Sequence, residues 1–159
     1  MKNNIGSLEW IDALSPDVIS KIQKVIDDLL LRFPFKMVGL AVFHDDMRHF
    51  LIKPMPTAPI SLDRKLCIHG AVLDRDIPIT IYDASSSRRW QNHPQVAAGM
   101  KFAFISLVSL RNQNGTRFGA LSILDTKPDS GYSIEDSDYL QQCSAQIEDI
   151  LFGSPEIRS

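Results

Sequence analysis

Apolar residues recur at three- and four-residue spacing near both ends of the chain, a period typical of amphipathic helices. Toward the N-terminus, Ser15 and Pro16 suit the N-cap and the first helical position of a helix that ends at Pro34. Near the C-terminus, Ser133 and Asp136 resemble a capping box, with Asp in place of the stronger Glu. The apolar positions are Val18, Ile22, Val25, Ile26, Leu29 and Phe33, and then Leu140, Cys143, Ile147, Ile150 and Leu151. Both segments are therefore predicted to be helices with one apolar face.

Between these helices the pattern changes to short apolar runs rich in β-forming residues. An Asn114-Gly115 pair joins two of the runs and supplies the positive φ that a tight hairpin turn requires. The predicted strands are Met37–Phe43, His49–Ile52, Ile77–Tyr82, Phe102–Leu110 and Arg117–Leu124. The last two are apolar on both faces, so the sheet must be covered on both sides.

The two terminal helices can cover only one face of such a sheet. The other face must then be covered by the middle of the chain, Leu62–Leu73 and the polar connection Ser85–Met100. We call the second of these segments the lid. A sheet with helices on one face and loosely structured segments on the other is well suited to holding a small molecule.

Composition adds bounds on size, charge and compartment. With 159 residues and 44% apolar residues, the chain fits one domain with a sizeable core, predicted over residues 15–152 between a lead-in (1–14) and a tail or linker (153–159). A net charge of −2 gives no broad attraction to nucleic acid or to an anionic membrane, and no apolar run reaches the roughly 20 residues that span a bilayer. Two distant cysteines and no segment resembling a signal peptide favour a reducing cytoplasm.

Three runs of the chain carry a family resemblance: Ser61–Val72, Asp83–Val96 and Gly115–Asp125. Together they resemble the GAF domain of bacterial signalling proteins, whose pattern includes S-F-C-x-H, D-A-x-x-D-x-R-F-x-x-N-P-x-V and G-x-x-x-G-x-L-x-x-x-D. The matching positions are Cys67, His69, Asp83, Arg89, Trp90, Pro94 and Val96. The resemblance covers roughly residues 16–152. It implies an α+β fold with a central antiparallel sheet of five to six strands, terminal helices on one face, and a small-molecule pocket or its vestige on the other.

The chain departs from the family's pattern in places that bear on the ligand. Ala103, Ile105 and Leu107 stand where the family often has Tyr, Gly and Pro. The signature of cyclic-nucleotide-binding members is absent, and the Cys-x-His spacing differs from that of bilin-binding members. Members that reduce free methionine sulfoxide use several clustered cysteines, which this chain lacks. The resemblance therefore names no ligand and no cofactor.

The residues predicted to bind a ligand come from the segments around the expected pocket. They are Cys67, His69, Tyr82, Asp83, Arg89, Trp90, His93, Phe104 and Ser106. Cys67, on a predicted helix, is open to a second interpretation as a small core residue, with redox sensing or metal binding as further alternatives. His93 either caps the turn at Pro94 or points into the pocket.

Two polar groups suggest other chemistry and have simpler explanations. His44, Asp45, Asp46 and His49 superficially resemble a metal site, but turns select Asp, and a polar hairpin turn explains all four. Asp83 and Asp125 follow apolar strands like a catalytic pair of carboxylates, yet each precedes turn-forming residues that Asp commonly caps. We predict no metal at either place.

The sequence thus predicts a non-enzymatic sensory or regulatory domain of a bacterial signal-transduction protein. It would bind an unidentified small molecule and relay a signal through its terminal helices to an output domain or a partner protein, as a sensor taken from a longer chain. A homodimer through those helices is expected because the spacing of Leu140, Cys143, Ile147 and Ile150 suits helix pairing.

Two alternatives remain open at this point. One is a dimerisation or relay module whose pocket is filled by Phe104, Ile105 and Trp90. The other is a small redox enzyme of the free methionine sulfoxide reductase kind, with turnover that depends on Cys67. Neither alternative predicts a nucleic-acid or membrane partner.

Overall fold

A six-stranded antiparallel sheet forms the centre of the computed structural model, which describes residues 9–75, 77–97 and 101–153. The strands are β1 (Met37–His44), β2 (Met47–Ile52), β3 (Ser61–Asp63), β4 (Ile79–Ile81), β5 (Phe104–Arg111) and β6 (Arg117–Asp125). Their order across the sheet is β3-β2-β1-β6-β5-β4. The predicted α+β class and the number of strands are confirmed.

The two predicted terminal helices are present with the predicted caps. The helices are α1 (Glu9–Asp12), α2 (Pro16–Arg32), α3 (Pro94–Ala97) and α4 (Ile134–Phe152). The Ser15 hydroxyl accepts the N–H of Val18 at 3.2 Å, and Ser133 with Asp136 forms the reciprocal capping box at the start of α4. None of the helices in the described part of the chain is long and apolar enough to cross a bilayer.

Each face of the sheet is covered by a separate hydrophobic cluster, as the two-sided apolar strands predicted. On the helix face, α2 and α4 bury Ile22, Leu29 and Leu140 against the sheet. On the opposite face, which we call the pocket face, Ile68 and Val96 belong to the second cluster. Two 3₁₀ helices lie on this face, at residues 64–66 and 68–72, and Ile68 begins the second of them. Val96 lies on α3 in the lid. The predicted covering segments are confirmed up to residue 97, and the end of the predicted lid, residues 98–100, lies outside the described residues.

Burial of the α4 stripe changes the expectation about a dimer. Leu140, Cys143 and Ile147 are 0%, 2% and 0% exposed because they pack into the cluster on the chain's own helix face. These three side chains are therefore not available to a second copy, and the helix-pairing interpretation of their spacing is wrong. A homodimer through other surfaces of the terminal helices stays a prediction.

Both predicted hairpins are confirmed, and each has turn residues that explain it. Asp45 and Asp46 have φ values of 50° and 63° between the paired residues His44 and Met47, a two-residue turn with positive φ at both central positions. In the other hairpin Gly115 has a φ of 79°. The polar-turn interpretation of the His44 region is thus correct.

Two short elements were not predicted. Strand β3 has three residues and pairs with β2, and α1 is a single helical turn within the predicted lead-in. The Trp10 ring on α1 lies 5.9 Å from Phe118 and 6.2 Å from Phe152, between ring centroids. Packing on the helix face therefore begins before Ser15.

Candidate functional site

The pocket face is organised by residues 64–72, which we call the 3₁₀ segment. Backbone hydrogen bonds fix its start, because the N–H of Arg64 donates to the carbonyl oxygen of Asp46 at 2.8 Å. The lid is tied to its middle, since the Oε1 atom of Gln95 accepts the N–H of Ile68 at 2.7 Å. Cys67 was predicted to lie on a helix, but it is the extended residue between the two 3₁₀ helices, with φ of −113° and ψ of 123°. In this conformation its side chain is buried, and its sulfur contacts Arg48 and His69.

A buried chain of polar side chains starts at this cysteine. The Sγ atom of Cys67 lies 3.4 Å from Nδ1 of His69, and Nε2 of His69 lies 2.8 Å from the hydroxyl oxygen of Ser122 on β6. The Ser122 hydroxyl donates to the carbonyl oxygen of Gly39 at 3.3 Å. Because that bond uses the only hydroxyl proton of Ser122, we assign the ring proton of His69 to Nε2, which donates to the Ser122 oxygen. Nδ1 is then unprotonated and accepts a hydrogen bond from the Cys67 thiol.

Burial determines the charge of both Cys67 and His69. It lowers the pKa of His69 to about 3, with a smaller contribution from the positive charge of Arg48. Burial also raises the pKa of the Cys67 thiol, and this effect exceeds the opposing influence of Arg48. At neutral pH both side chains are therefore uncharged.

Within the described residues, Arg48 is the one cation that contacts this row of buried polar side chains. Its side chain is 1% exposed, and its Nη1 atom lies 3.8 Å from the Cys67 sulfur. Its Nη2 atom donates to the carbonyl oxygen of Pro59 at 2.6 Å, and the guanidinium carbon lies 3.8 Å from the centroid of the Phe50 ring. Burial lowers the pKa of Arg48, but a guanidinium starts so high that it stays protonated.

Two cavities meet at these residues. The outer groove has a volume of about 440 Å³ and is lined by Asp46, Arg64, Lys65, Cys67, Trp90 and His93, among others. The inner pocket has a volume of about 200 Å³ and is lined by Arg48, Phe50, Met55, His69, Gln95 and Phe102, among others. Since Cys67 lines the outer groove, Arg48 and His69 line the inner pocket, and the Cys67 sulfur contacts both, these three residues lie between the two cavities.

Four of the predicted site residues are brought together here: Cys67, His69, Trp90 and His93. Both interpretations of His93 hold, because its Nδ1 atom accepts the N–H of Gln95 at 3.1 Å while its ring borders the outer groove. Burial lowers the pKa of His93. Arg89 lies at the edge of this group, with its guanidinium 4.9 Å from the centroid of the Trp90 ring.

Phe104 and Ser106 do not face the pocket, so their predicted place in its wall is corrected. The Ser106 hydroxyl donates to the Tyr132 hydroxyl at 2.9 Å, and the Phe104 ring packs against the same tyrosine at 5.0 Å on the helix face. Side chains alternate along a strand, so Ile105 and Leu107 take the pocket face instead. A pocket filled by Phe104 is also ruled out.

Tyr82 and Asp83 lie beyond the described linings of both cavities. The Tyr82 side chain is 46% exposed. Asp83 accepts the backbone N–H and the hydroxyl of Ser85, and the hydrogen bonds from Ser85 lower the pKa of the Asp83 carboxyl. Asp125 accepts the backbone N–H of Lys127 at 3.1 Å and also pairs with Lys36 at 2.8 Å. The turn-capping interpretation of both aspartates is correct, and they are not a catalytic pair.

Sequence analysis did not predict several residues of this site, among them three that form its buried hydrogen bonds: Arg48, Gln95 and Ser122. Arg48 carried a usable signal, because it lies two residues before Phe50 and therefore on the same face of β2. A charged residue at an inward strand position is uncommon and points to function. Ser122 and Gln95 gave no such signal.

The second cysteine lies on the other side of the sheet, as predicted. Cys143 is buried on α4 in the helix-face cluster, and both cysteines are free thiols. Within residues 9–75, 77–97 and 101–153, no three His, Cys, Asp or Glu side chains are grouped as a metal site would require.

Comparison with known proteins gives matches only at the level of structure, since no family model and no curated protein sequence matches the chain. The GAF domain of a two-component sensor histidine kinase from Bacillus halodurans matches with a TM-score of 0.65 and 18% identity, over 86% of this chain and 93% of that one. The GAF domain of a phosphoenolpyruvate-protein phosphotransferase from Coxiella burnetii matches with a TM-score of 0.65 and 15% identity, over 94% of each chain.

An enzyme shares the same architecture. The type II free methionine-R-sulfoxide reductase from Thermoplasma acidophilum matches with a TM-score of 0.68 and 17% identity, over 84% of this chain and 92% of that one. Identities this low establish a shared fold, while activity depends on the residues of the site.

Proposed function

We propose that this chain, which has the fold of the GAF domains, is a non-enzymatic sensory or regulatory domain that binds a small molecule on its pocket face. The observation that carries the proposal is the outer groove, which lies between the 3₁₀ segment and the lid above the buried side chains of Cys67 and His69. A concave site with a few convergent polar groups is the usual form of a small-molecule site. The chain would act in the cytoplasm of a bacterium.

The route from this site to the terminal helices runs through the sheet. His69 hydrogen-bonds to Ser122 on β6, and Ser122 hydrogen-bonds to Gly39 on β1. The opposite faces of the same strands pack against α2 and α4. A ligand that binds two arrangements of the pocket face unequally would thus shift the helices, and through them an output domain or a partner signalling protein.

Thermal unfolding of the full chain in the presence of a broad metabolite panel tests the binding role. A compound at about 100 times its Kd stabilises the protein by about 2.7 kcal/mol, which raises the Tm by roughly 5 to 10 °C. The Trp90→Ala variant, which removes part of the groove wall, should lose the shift. The Phe35→Ala variant removes a ring that is 99% exposed and should keep it. A flat response of the wild-type protein across the panel would contradict the proposal.

One observation favours the redox enzyme as the second candidate: Cys67 is among the residues that line the groove, and its sulfur contacts a histidine nitrogen. A nucleophilic cysteine next to a base is a common catalytic arrangement. Against it, burial raises the pKa of Cys67, and Cys143 lies on the opposite face of the sheet, where it cannot act as a resolving thiol.

Reduction of free methionine sulfoxide by dithiothreitol separates these two functions. We expect the wild-type protein and the Cys67→Ser variant to show the same background rate. The Cys143→Ser variant is the matched control for loss of a buried thiol. Turnover by the wild-type protein that is abolished by Cys67→Ser and kept by Cys143→Ser would establish the enzyme instead of the sensor.

A further inference from the structure

We propose that the inner pocket binds a small carboxylate anion through Arg48, with the apolar part of the ligand against Phe50, Met55 and Phe102. This inference rests on the proposed sensory function and concerns a second cavity, the inner pocket, which adjoins the outer groove at Cys67, Arg48 and His69. It follows from three features of the described residues: an uncompensated buried cation, guanidinium donors that are only partly used, and a small cavity with an apolar wall.

The charge of Arg48 has no counter-ion in the described part of the chain. No carboxylate pairs with it among the described residues, and the titratable side chains that its charge reaches are Cys67, His69 and the neighbouring His49, none of which is an anion at pH 7. Cys67 and His69 are both neutral at pH 7, because burial raises the pKa of the cysteine and lowers the pKa of the histidine. A buried ion that lacks a partner is strongly unfavourable, so a bound anion would remove a large penalty.

The donors of Arg48 are held in place and only partly used. The carbonyl oxygen of Pro59 and the Phe50 ring fix the guanidinium plane. The Nη1 atom has only a sulfur at 3.8 Å, and the buried Nε atom has no hydrogen-bond partner among the described residues. Because each Nη atom carries two N–H groups and makes one contact, a second N–H on each remains for a carboxylate, which accepts two parallel N–H bonds from such a pair, an arrangement stronger than a neutral hydrogen bond.

The size and lining of the inner pocket narrow the class further. A volume of about 200 Å³ lies below the roughly 300 to 1,000 Å³ of pockets that hold larger ligands, so the inner pocket suits a small molecule. Phe50, Met55 and Phe102 supply an apolar wall for a short carbon chain. Gln95 also lines the pocket, and because its Oε1 atom is occupied by the N–H of Ile68, its amide N–H groups remain to donate to a ligand. A short-chain monocarboxylate satisfies all three conditions.

The experiment uses butanoate as the probe and butanamide as its uncharged match, with calorimetric titration and thermal unfolding of the full chain. Acetate, hexanoate and inorganic phosphate extend the series in length and in anion type. We expect butanoate to bind and to raise the Tm, and we expect butanamide and phosphate to do neither. The Arg48→Met variant should weaken butanoate binding by at least about tenfold, the loss expected for a buried charge-assisted pair.

The stability of Arg48→Met and two further variants, Ala58→Leu and Arg88→Met, keep the test independent of misfolding. Arg48→Met should keep or raise the Tm of the ligand-free protein, since it replaces an unpaired buried charge by an apolar side chain. Ala58→Leu fills the inner pocket while leaving Arg48 intact, and it should also abolish butanoate binding. Arg88→Met removes an exposed arginine and should leave butanoate binding unchanged.

Each outcome decides one of the two proposals. Butanoate binding that is equal in the wild type and in Arg48→Met would overturn the assignment, as would equal binding of butanamide or of phosphate. Stabilisation by an uncharged or cationic metabolite, with no carboxylate effective, would also overturn it but would leave the sensory function standing. A metabolite panel with no stabilising compound at all would reject the sensory function itself.

Discussion

Acidification from pH 6.5 to pH 5 is expected to destabilise the protein by about 1.7 kcal/mol through His69 alone, since the unfolded histidine is half protonated at the start of this range. In the folded state the pKa of His69 is lowered to about 3, chiefly by burial, whereas the unfolded chain has an ordinary histidine pKa near 6.5. Below pH 6.5 the unfolded state therefore binds more protons, and the free energy of unfolding falls by about 1.4 kcal/mol for each pH unit. This loss continues until the pH approaches 3.

Urea unfolding of the wild type and of His69→Gln at pH 7, 6 and 5 measures this contribution. Glutamine keeps a polar group near Ser122 but does not titrate, so the slope of the unfolding free energy against pH should be smaller in the variant. His93, whose pKa is also lowered by burial, gives a dependence of the same sign, and His93→Gln is the control for it. Equal slopes in the wild type and in His69→Gln would show that His69 does not remain neutral in the folded protein.

Replacement of Gly119 by alanine is expected to destabilise the fold by about 3 kcal/mol or more. A Cβ atom at this position would lie 2.5 Å from the carbonyl oxygen of Ala41 on the paired strand β1. Because that atom belongs to the backbone, relief requires β1 and β6 to separate. Elsewhere in a strand, alanine would be the more favourable residue by roughly 0.5 to 1 kcal/mol, so the close approach reverses the sign.

Urea unfolding of Gly119→Ala beside Gly131→Ala tests this effect. At Gly131 a Cβ atom would have its nearest contact at 3.4 Å, with a side-chain oxygen of Asp129, so a change within about 0.5 kcal/mol is expected. Equal stability of the two variants would show that β1 and β6 lie farther apart at Gly119 than they do in the structure. The result bears on the site as well, since Ser122 and Gly39 lie on the same two strands.

The sequence was sufficient for the elements whose signals are local. Ser15 and Ser133 marked both terminal helices because an N-cap hydroxyl acts within its own first turn. Asn114-Gly115 marked the second hairpin because positive φ restricts the residue types. Cover on both faces of the sheet was predictable because two of the strands have no polar face.

The site was only partly predictable because it depends on register and on long-range packing. A shift of one residue moves a strand side chain to the other face, and this is how Phe104 and Ser106 were placed in the pocket while Ile105 occupies that face. Residues far apart in sequence complete the buried chain, since His69 meets Ser122 only through the fold. A three-residue strand such as β3 has too few positions to show a period.

The central claim, that a small molecule binds between the 3₁₀ segment and the lid and acts on the terminal helices, is tested most directly by hydrogen–deuterium exchange. The full chain is compared with and without the compound that raises its Tm most. We predict slower amide exchange in residues 66–73 and 90–96, accompanied by a change in α4 on the opposite face of the sheet. Unchanged exchange in both pocket-face segments, with a compound that demonstrably binds, would contradict the claim.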